Sequence, residues 1–324
     1  MSNPNFDDIV TTTLQRRSKK LADNISRNQG LLYRMRQKGT IRPFPGGRTI
    51  VEEIEYQENS TYRRYAGYDL LNINPSVTYT SAEFDIRQAA VAVSISGLEQ
   101  LQNAGEDAVI ELLPARIKTA EKSLANGVYA DMYSDGTADF GRQIGGLQLL
   151  VADNPATGTV GGINRATTGN AYWRNQFISL STEGLGTPAS TNIQTAMNRL
   201  WILCTRQNDT PDIIMAGNTF YRLYEESLQT LQRVTTSKMA DAGFEAIKYK
   251  GADVVLDGGQ GGACPDQRMY FLNTDYIFFR PHAKRNFVAL EQRMSYNQDA
   301  MVKLLAFAGN MTMSNASLQG VLRP

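Results

Sequence analysis

Histidine and cysteine are almost missing from this chain of 324 residues: His282 is the one histidine, and Cys204 and Cys264 are the two cysteines. Two thiols exclude a disulfide framework and a cysteine-rich zinc site, and a single imidazole excludes any two-histidine metal site within one chain. Net charge is also missing. Lys plus Arg number 33 and Asp plus Glu 32, a formal +1, so bulk charge does not mark a dedicated nucleic-acid binder. No apolar run nears the 18 residues of a membrane-span candidate. The start, MSNPNFDDIV, lacks the basic-then-apolar order of a secretory signal. The expectation is a soluble chain made in a cytosol, or one that assembles into something larger. What is present is ordinary for a globular protein: 42% hydrophobic and 20% charged residues, enough chain for about two lobes.

The charge is unevenly placed. Residues 1–45 carry nine cations (Arg16, Arg17, Lys19, Lys20, Arg27, Arg34, Arg36, Lys38, Arg42) against Asp7, Asp8 and Asp23, a balance of +6 that leaves −5 for the rest. Such a run reads either as a solvated helix face or as an arm lying on an acidic partner, another subunit or a polynucleotide. It looks too polar to make a core of its own.

Residues 48–95 alternate as β-structure does: Ile50, Ile54 and Tyr56 among Glu52, Glu53, Glu55 and Glu58, then Val77, Tyr79, Phe84, Ile86, Val91, Val93 and Ile95. Asn59-Ser60, Gly67 and Asn74-Pro75 put the tip of a long hairpin near 59–76. A two-stranded ribbon this polar is marginal alone, so either the body of its own chain or a neighbouring copy must support it. A helix is expected over 106–134, opened by Asn103 and Glu106, with Val109, Leu113, Ile117, Ala120, Leu124 and Val128 as one apolar stripe and a joint near Pro114. Residues 136–190 are rich in Gly, Asn and Thr and read as loops with short strands. From Thr191 onward helices and strands alternate, and 299–313 reads as one long buried strand.

Chemistry is hard to find. Gly258-Gly259-Gln260-Gly261-Gly262 follows a strand, but no Lys-Ser/Thr pair comes after it and the next element is another strand, so no helix N-terminus can hold a phosphate. His282 with Cys264 and Asp266 names a conceivable acyl-transfer set, yet neither cysteine sits in a nucleophile signature. The row of glutamates on the ribbon reads as a surface awaiting cations, not as a catalytic dyad. No catalytic, metal or cofactor-binding residue is expected.

A basic arm, a polar hairpin, a strut-like helix, an α/β lobe and a C-terminal strand in that order resemble the major capsid proteins of tailed bacteriophages. The stretches RIKTAEKSLANGVYADMYSDGT (116–137), IGGLQLLVADNP (144–155), GTVGGINRATTGNAYWRNQ (158–176), MYFLNTDYIFFRPH (269–282) and NQDAMVKLLAFAGNMTMSNASLQGVL (297–322) are similar to blocks of one group of them. The resemblance spans about residues 40–322. It implies an α+β chain with the Hong Kong 97-like capsid fold: an N-terminal arm (1–47), an extended loop (48–90), a peripheral domain (91–190) with a spine helix (106–134), an axial domain (191–287) and a return to the peripheral domain (288–324). It implies a non-enzymatic subunit that self-assembles through pentamers and hexamers into an icosahedral head enclosing double-stranded DNA. It needs no cofactor, and the virion, assembled in the host cytoplasm, is the place of action. A separate scaffolding protein, a portal, weakly and non-specifically held DNA and a decoration protein are the partners implied, with no membrane. Intersubunit candidates are Glu52, Glu53, Glu55, Glu58, Arg63 and Arg64; arm candidates are Arg16, Arg17, Lys19 and Lys20; the loop Gly258, Gly259, Gln260, Gly261 and Gly262 would face the capsomer centre. Some members crosslink through a lysine of the extended loop; this chain departs from that pattern, having no lysine between Lys38 and Lys118. Encapsulin-like shells share the fold, but the AFAGNMTMSN block and the basic arm favour the virus. A soluble α/β enzyme is the rival of another class, disfavoured by the single histidine and the lack of any cofactor motif.

Overall fold

The computed structural model describes residues 29–102, 112–228, 246–259, 261–291, 293–294 and 298–324. The first element, α1 (Gly30–Lys38), ends at Gly39, whose φ of 70° is the left-handed cap that favours glycine. Leu31 and Met35, one turn apart, are completely buried in the larger core. The charges on its other face are used as well: Arg34 Nε lies 3.0 Å from Asp212 Oδ2, and Lys38 Nζ 3.0 Å from Asp275 Oδ1. The expectation of an arm with no share in the core therefore fails for residues 30–38. Leu31 and Met35 at helical spacing, with Leu32 and Tyr33 packed beside them, suffice to dock a helix whose charged residues point to solvent or to carboxylates. Arg16, Arg17, Lys19 and Lys20 lie outside the described residues.

The ribbon consists of β1 (Thr49–Glu55) and β2 (Tyr79–Asp85), antiparallel with Thr49 opposite Asp85 and Glu55 opposite Tyr79. Ile50, Ile54, Ala82 and Phe84 point into the core, so the body of its own chain supports its base. The hairpin stops at Asp85. The next strand, β3 (Arg87–Ser96), leaves the ribbon for another sheet, so Val91, Val93 and Ile95 are not its continuation.

A short helix, α2 (Gly97–Gln102), precedes the spine helix α3 (Leu112–Asp131). Its 20 described residues rise about 30 Å. Ala120, Leu124 and Val128 form the buried stripe expected. Pro114 falls in the first turn of the described helix, where a missing N–H goes unnoticed. The expected start at 103–111 lies outside the described residues, and the helix stops at Asp131, three residues short of 134. Past the helix the backbone doubles back so closely that a Cβ on Gly146 would sit 2.3 Å from the Asp131 carbonyl oxygen, which only glycine allows. After α4 (Leu147–Leu150), the loop-rich segment carries the small hairpin β4 (Thr159–Val160) and β5 (Ile163–Asn164). It is organised around Arg165, fully buried, donating to the carbonyls of Leu150 and Trp173 at 2.6 and 2.9 Å. Burial without a carboxylate partner pulls its pKa down to about 10.

The second lobe follows in chain order: β6 (Gln176–Ser179), α5 (Ile193–Leu203), β7 (Ile213–Ala216), α6 (Asn218–Ser227), β8 (Ala246–Tyr249), β9 (Ala252–Leu256) and β10 (Met269–Leu272). Strand β11 (Ile277–Pro281) and the short β12 (Val288–Ala289) and β13 (Arg293–Met294) then pair along one edge of β14 (Ala300–Met313), whose other edge takes β3 over ten residues. The long buried strand expected over 299–313 is this β14. The last strand, β15 (Gly320–Arg323), completes a six-stranded sheet in the order β6-β15-β10-β7-β9-β8. Residues 288–324 thus divide between two sheets: β14 returns to the first, while β15 fills the slot between β6 and β10 that would otherwise leave both edges unpaired. Helices α5 and α6 pack on this sheet through Leu200, Trp201, Phe220 and Tyr224, a second core distinct from the first.

Candidate assembly surface

The ribbon's base and its tip obey different rules. At the base, strand alternation turns Ile50, Glu52 and Ile54 inward and Val51, Glu53 and Glu55 outward. Glu52 is only 6% exposed. Its Oε1 accepts from Arg280 Nε and from Thr312 Oγ1, both at 2.7 Å. Glu52 is therefore an internal tie between β1, β11 and β14, not the contact to another subunit that its place in the glutamate row suggested. Glu53, Glu55 and Glu58 are exposed.

Between the strands, residues 56–78 contain no strand or helix. Local side-chain bonds shape them. Asn59 Oδ1 accepts from Thr61 N and Oγ1 at 2.9 and 2.7 Å, the Ser60 and Ser76 hydroxyls meet at 3.2 Å, and Asp69 Oδ2 accepts from Ala66 N at 3.0 Å. Arg63 and Arg64 are both exposed here, with Arg63 donating to the Leu70 carbonyl. The same segment exposes Tyr62, Tyr65, Tyr68, Leu70 (90%), Ile73 (91%) and Val77. So many large apolar side chains in one segment make an exposed, partly apolar patch larger than scattered surface residues do. A reading by charge missed them; the signal was there as Tyr62, Tyr65, Tyr68 and the Leu70–Ile73 run, a hydrophobic tip with no local strand partner.

The glycine loop is a tight turn at the end of β9. A Cβ on Gly258 would fall 2.2 Å from Asn218 Oδ1, and one on Gly262 2.3 Å from the Gly258 carbonyl oxygen. Gly259 and Gly261 have φ of 74° and 95°; Gln260 lies outside the described residues. The root of the loop is closed by Cys264 N donating to Asp257 O at 2.9 Å. Asp257 is itself buried and accepts a short hydrogen bond from the Tyr129 hydroxyl of α3. Burial pushes its carboxyl up to about 6, opposed by the Tyr129 and Tyr133 hydroxyls and the Ala263 N–H. The loop of the second lobe is in this way rooted on the spine helix.

The residues considered for acyl transfer have separate surroundings. Cys264 is buried against the carbonyls of Met215 and Arg268, and burial drives its thiol well above the ordinary range, the opposite of a nucleophile. His282 stacks edge-on against Phe44 at 5.0 Å and accepts from the Lys284 amide at Nδ1. Among the described residues no three His, Cys, Asp or Glu gather as a metal site, and no helix is long and apolar enough to cross a membrane.

No protein-family model matches the chain, and no curated protein matches it by sequence. Solved structures do match. The capsid of cyanophage A-1(L) superposes with a TM-score of 0.66 over 95% of this chain and 96% of that one, at 16% identity. The encapsulin of the holo-SrpI complex from Synechococcus elongatus gives 0.59 over 98% and 94%, at 9% identity. The capsid protein of the Myoviridae phage XM1 gives 0.55 over 96% of both chains, at 12%. The likeness runs the whole length of each chain. The fold is the α+β shell-forming fold of phage capsids and encapsulins. Within that class it is the Hong Kong 97-like capsid fold expected from the sequence.

Proposed function

We propose that the chain is the major capsid protein of a tailed phage, a non-enzymatic subunit that self-assembles through pentamers and hexamers into an icosahedral head around double-stranded DNA. The observation that carries this reading is the ribbon. Its base is fixed by its own chain's core and by the Glu52–Arg280 pair, while its tip holds out tyrosines, leucine, isoleucine and two arginines. A rigid mount with an unsupported, partly apolar end suits contact with the next copy. Charge adds direction: Arg63 and Arg64 at the tip and Glu53, Glu55 and Glu58 on the outer edge are of opposite sign, and each exposed pair contributes about 0–1 kcal/mol. A shell repeats the contact in every subunit, so small terms sum. Residues 258–262 at the capsomer centre, the division into peripheral and axial domains, and a scaffolding protein, portal and packaged DNA as partners belong to the same reading.

The test is assembly. Purified protein should elute as capsomers or shells and show closed particles in micrographs; a small oligomer would sink the reading. Arg63→Glu with Arg64→Glu should delay or abolish shells while circular dichroism shows an intact fold, and Tyr68→Ser with Ile73→Ser should do so even at high salt. A second reading is kept because an encapsulin shares the fold. Particles from the native source that hold DNA support the virus; particles that hold an enzyme cargo support the encapsulin.

A further inference from the structure

Two segments that pair with each other hold cations and no acid. Residues 40–49, TIRPFPGGRT, run beside β11. The Arg42 amide donates to the Phe279 carbonyl and the Phe44 amide to the Pro281 carbonyl, both at 3.0 Å, and the Ala283 amide donates back to the Phe44 carbonyl. The second segment, residues 280–286, reads RPHAKRN. Together they carry Arg42, Arg48, Arg280, Lys284 and Arg285 with His282, and no carboxylate side chain. Arg42, Arg48, Lys284 and Arg285 are exposed, and none of the four forms an ion pair among the described residues. Carboxylates on adjoining elements are already taken: Glu52 by Arg280, Asp85 by Arg87 and Asp275 by Lys38. A strip of four uncompensated cations therefore lies on a chain whose formal net charge is only +1.

The details of the strip suit phosphate better than protein. Its one aromatic of the first segment, Phe44, is buried, so what it shows to solvent is charge and not the apolar centre that protein contacts favour. Arg42 Cζ lies 4.4 Å from the centre of the Phe278 ring, which holds the guanidinium without using its N–H groups. His282 Nδ1 accepts from the Lys284 amide at 3.1 Å, leaving the ring proton on Nε2 as a further donor. Gly46, at φ 154°, has nothing within 4 Å of where a Cβ would stand, so its backbone is open to close approach. Elsewhere the exposed charge is of the other sign: Glu53, Glu55 and Glu83 line the outer face of the ribbon, and Asp135 and Asp139 the turn beyond α3. A polyanion is repelled from those faces and steered to this one. We propose that the strip of Arg42, Arg48, Lys284 and Arg285 binds the phosphate backbone of duplex DNA without reading its sequence. That the polyanion is DNA rests on the capsid reading. From Arg42 to Arg48 the chain covers at most about 20 Å, the rise of about six base pairs.

Salt dependence reads this directly. Unassembled full-length subunits are titrated into a labelled duplex of about 20 base pairs, followed by fluorescence anisotropy between about 50 and 200 mM salt. Arg16, Arg17, Lys19, Lys20 and Arg27 are changed to Gln, so that no cation of residues 1–28 contributes. Four neutralised phosphates give log K against log salt a slope of about −3.6, a loss of about 150-fold over that range. Arg48→Gln with Arg285→Gln should halve the slope to about −1.8, and so should Arg42→Gln with Lys284→Gln, a second pair in case the first disturbs the fold. Lys248→Gln with Lys250→Gln removes the same charge from an exposed site on the second lobe and should leave the slope unchanged. Absence of binding, slopes that neither pair moves, or an equal change in the lysine control would overturn the proposal. So would pairs that lose shells yet bind the duplex as the parent does, which would set the strip against another copy's carboxylates. A chain that makes no shells but shows these slopes counts against the capsid reading and leaves the strip standing; shells without binding do the reverse.

Discussion

Asp257→Asn is a substitution for which the structure gives a sign and an order of magnitude. Asp257 is 4% exposed and sits at the root of the glycine loop, its carboxylate facing Tyr129 and Tyr133 of the spine helix. Its pKa rises from 3.8 to about 6, burial being the largest cause. Between those two values the folded chain holds a proton that the unfolded chain has lost, so stability falls as pH rises through that window and stays lower above it. A gap of about two units at 1.36 kcal/mol each amounts to about 3 kcal/mol. Asparagine keeps the shape and an acceptor for the Tyr129 hydroxyl, and its amide faces Tyr133 where the carboxylate did. The variant is therefore expected to be more stable than the parent by up to about 3 kcal/mol at pH 7.5, with the advantage vanishing near pH 4. Urea unfolding of unassembled subunits from pH 4 to 8 measures it, with an unchanged m-value as the check that the unfolded state is the same. The other acids titrate alike in both proteins, so the difference between the two profiles isolates Asp257. Parallel profiles, or a variant less stable at pH 7.5 than at pH 4 relative to the parent, would refute the reasoning.

Leu31→Ala and Met35→Ala should each lower subunit stability by about 2–5 kcal/mol in denaturant melts, as fully buried side chains do; removing residues 1–28 should cost far less than removing 1–38, and equal losses would contradict the place of α1 in the core. Glu52→Ala leaves the half-buried Arg280 guanidinium and the fully buried Thr312 hydroxyl without their acceptor, a loss of about 3–5 kcal/mol, whereas Glu53→Ala on the outward face should change the melt by about 0.5 kcal/mol or less. Denatured shells should run as single chains of 35.9 kDa, because the ribbon has no lysine amine to form an isopeptide; a ladder with linked peptides from residues 48–90 would contradict this.

Periodicity within one element was legible without any structure. Strict alternation with Asn-Pro and Gly at the bend located the ribbon, and a stripe at every third or fourth residue located the spine helix. The unbroken apolar run of residues 304–308 located β14, because each of these patterns is set by the geometry of a single segment. The same alternation placed Glu52 on the face of Ile50 and Ile54, so its inward direction was readable; what it meets there was not, since Arg280 and Thr312 are more than two hundred residues away. Tertiary structure alone made that pair, seated Leu31 and Met35 of a charge-rich helix in the core, and set the four-residue β15 between β6 and β10. It also brought Asp257 under Tyr129 and left the tip tyrosines with nothing to rest on. Local spacing determines which way a side chain points, while burial and pairing depend on which distant segment arrives opposite it, and that is decided only when both sheets close over the helix.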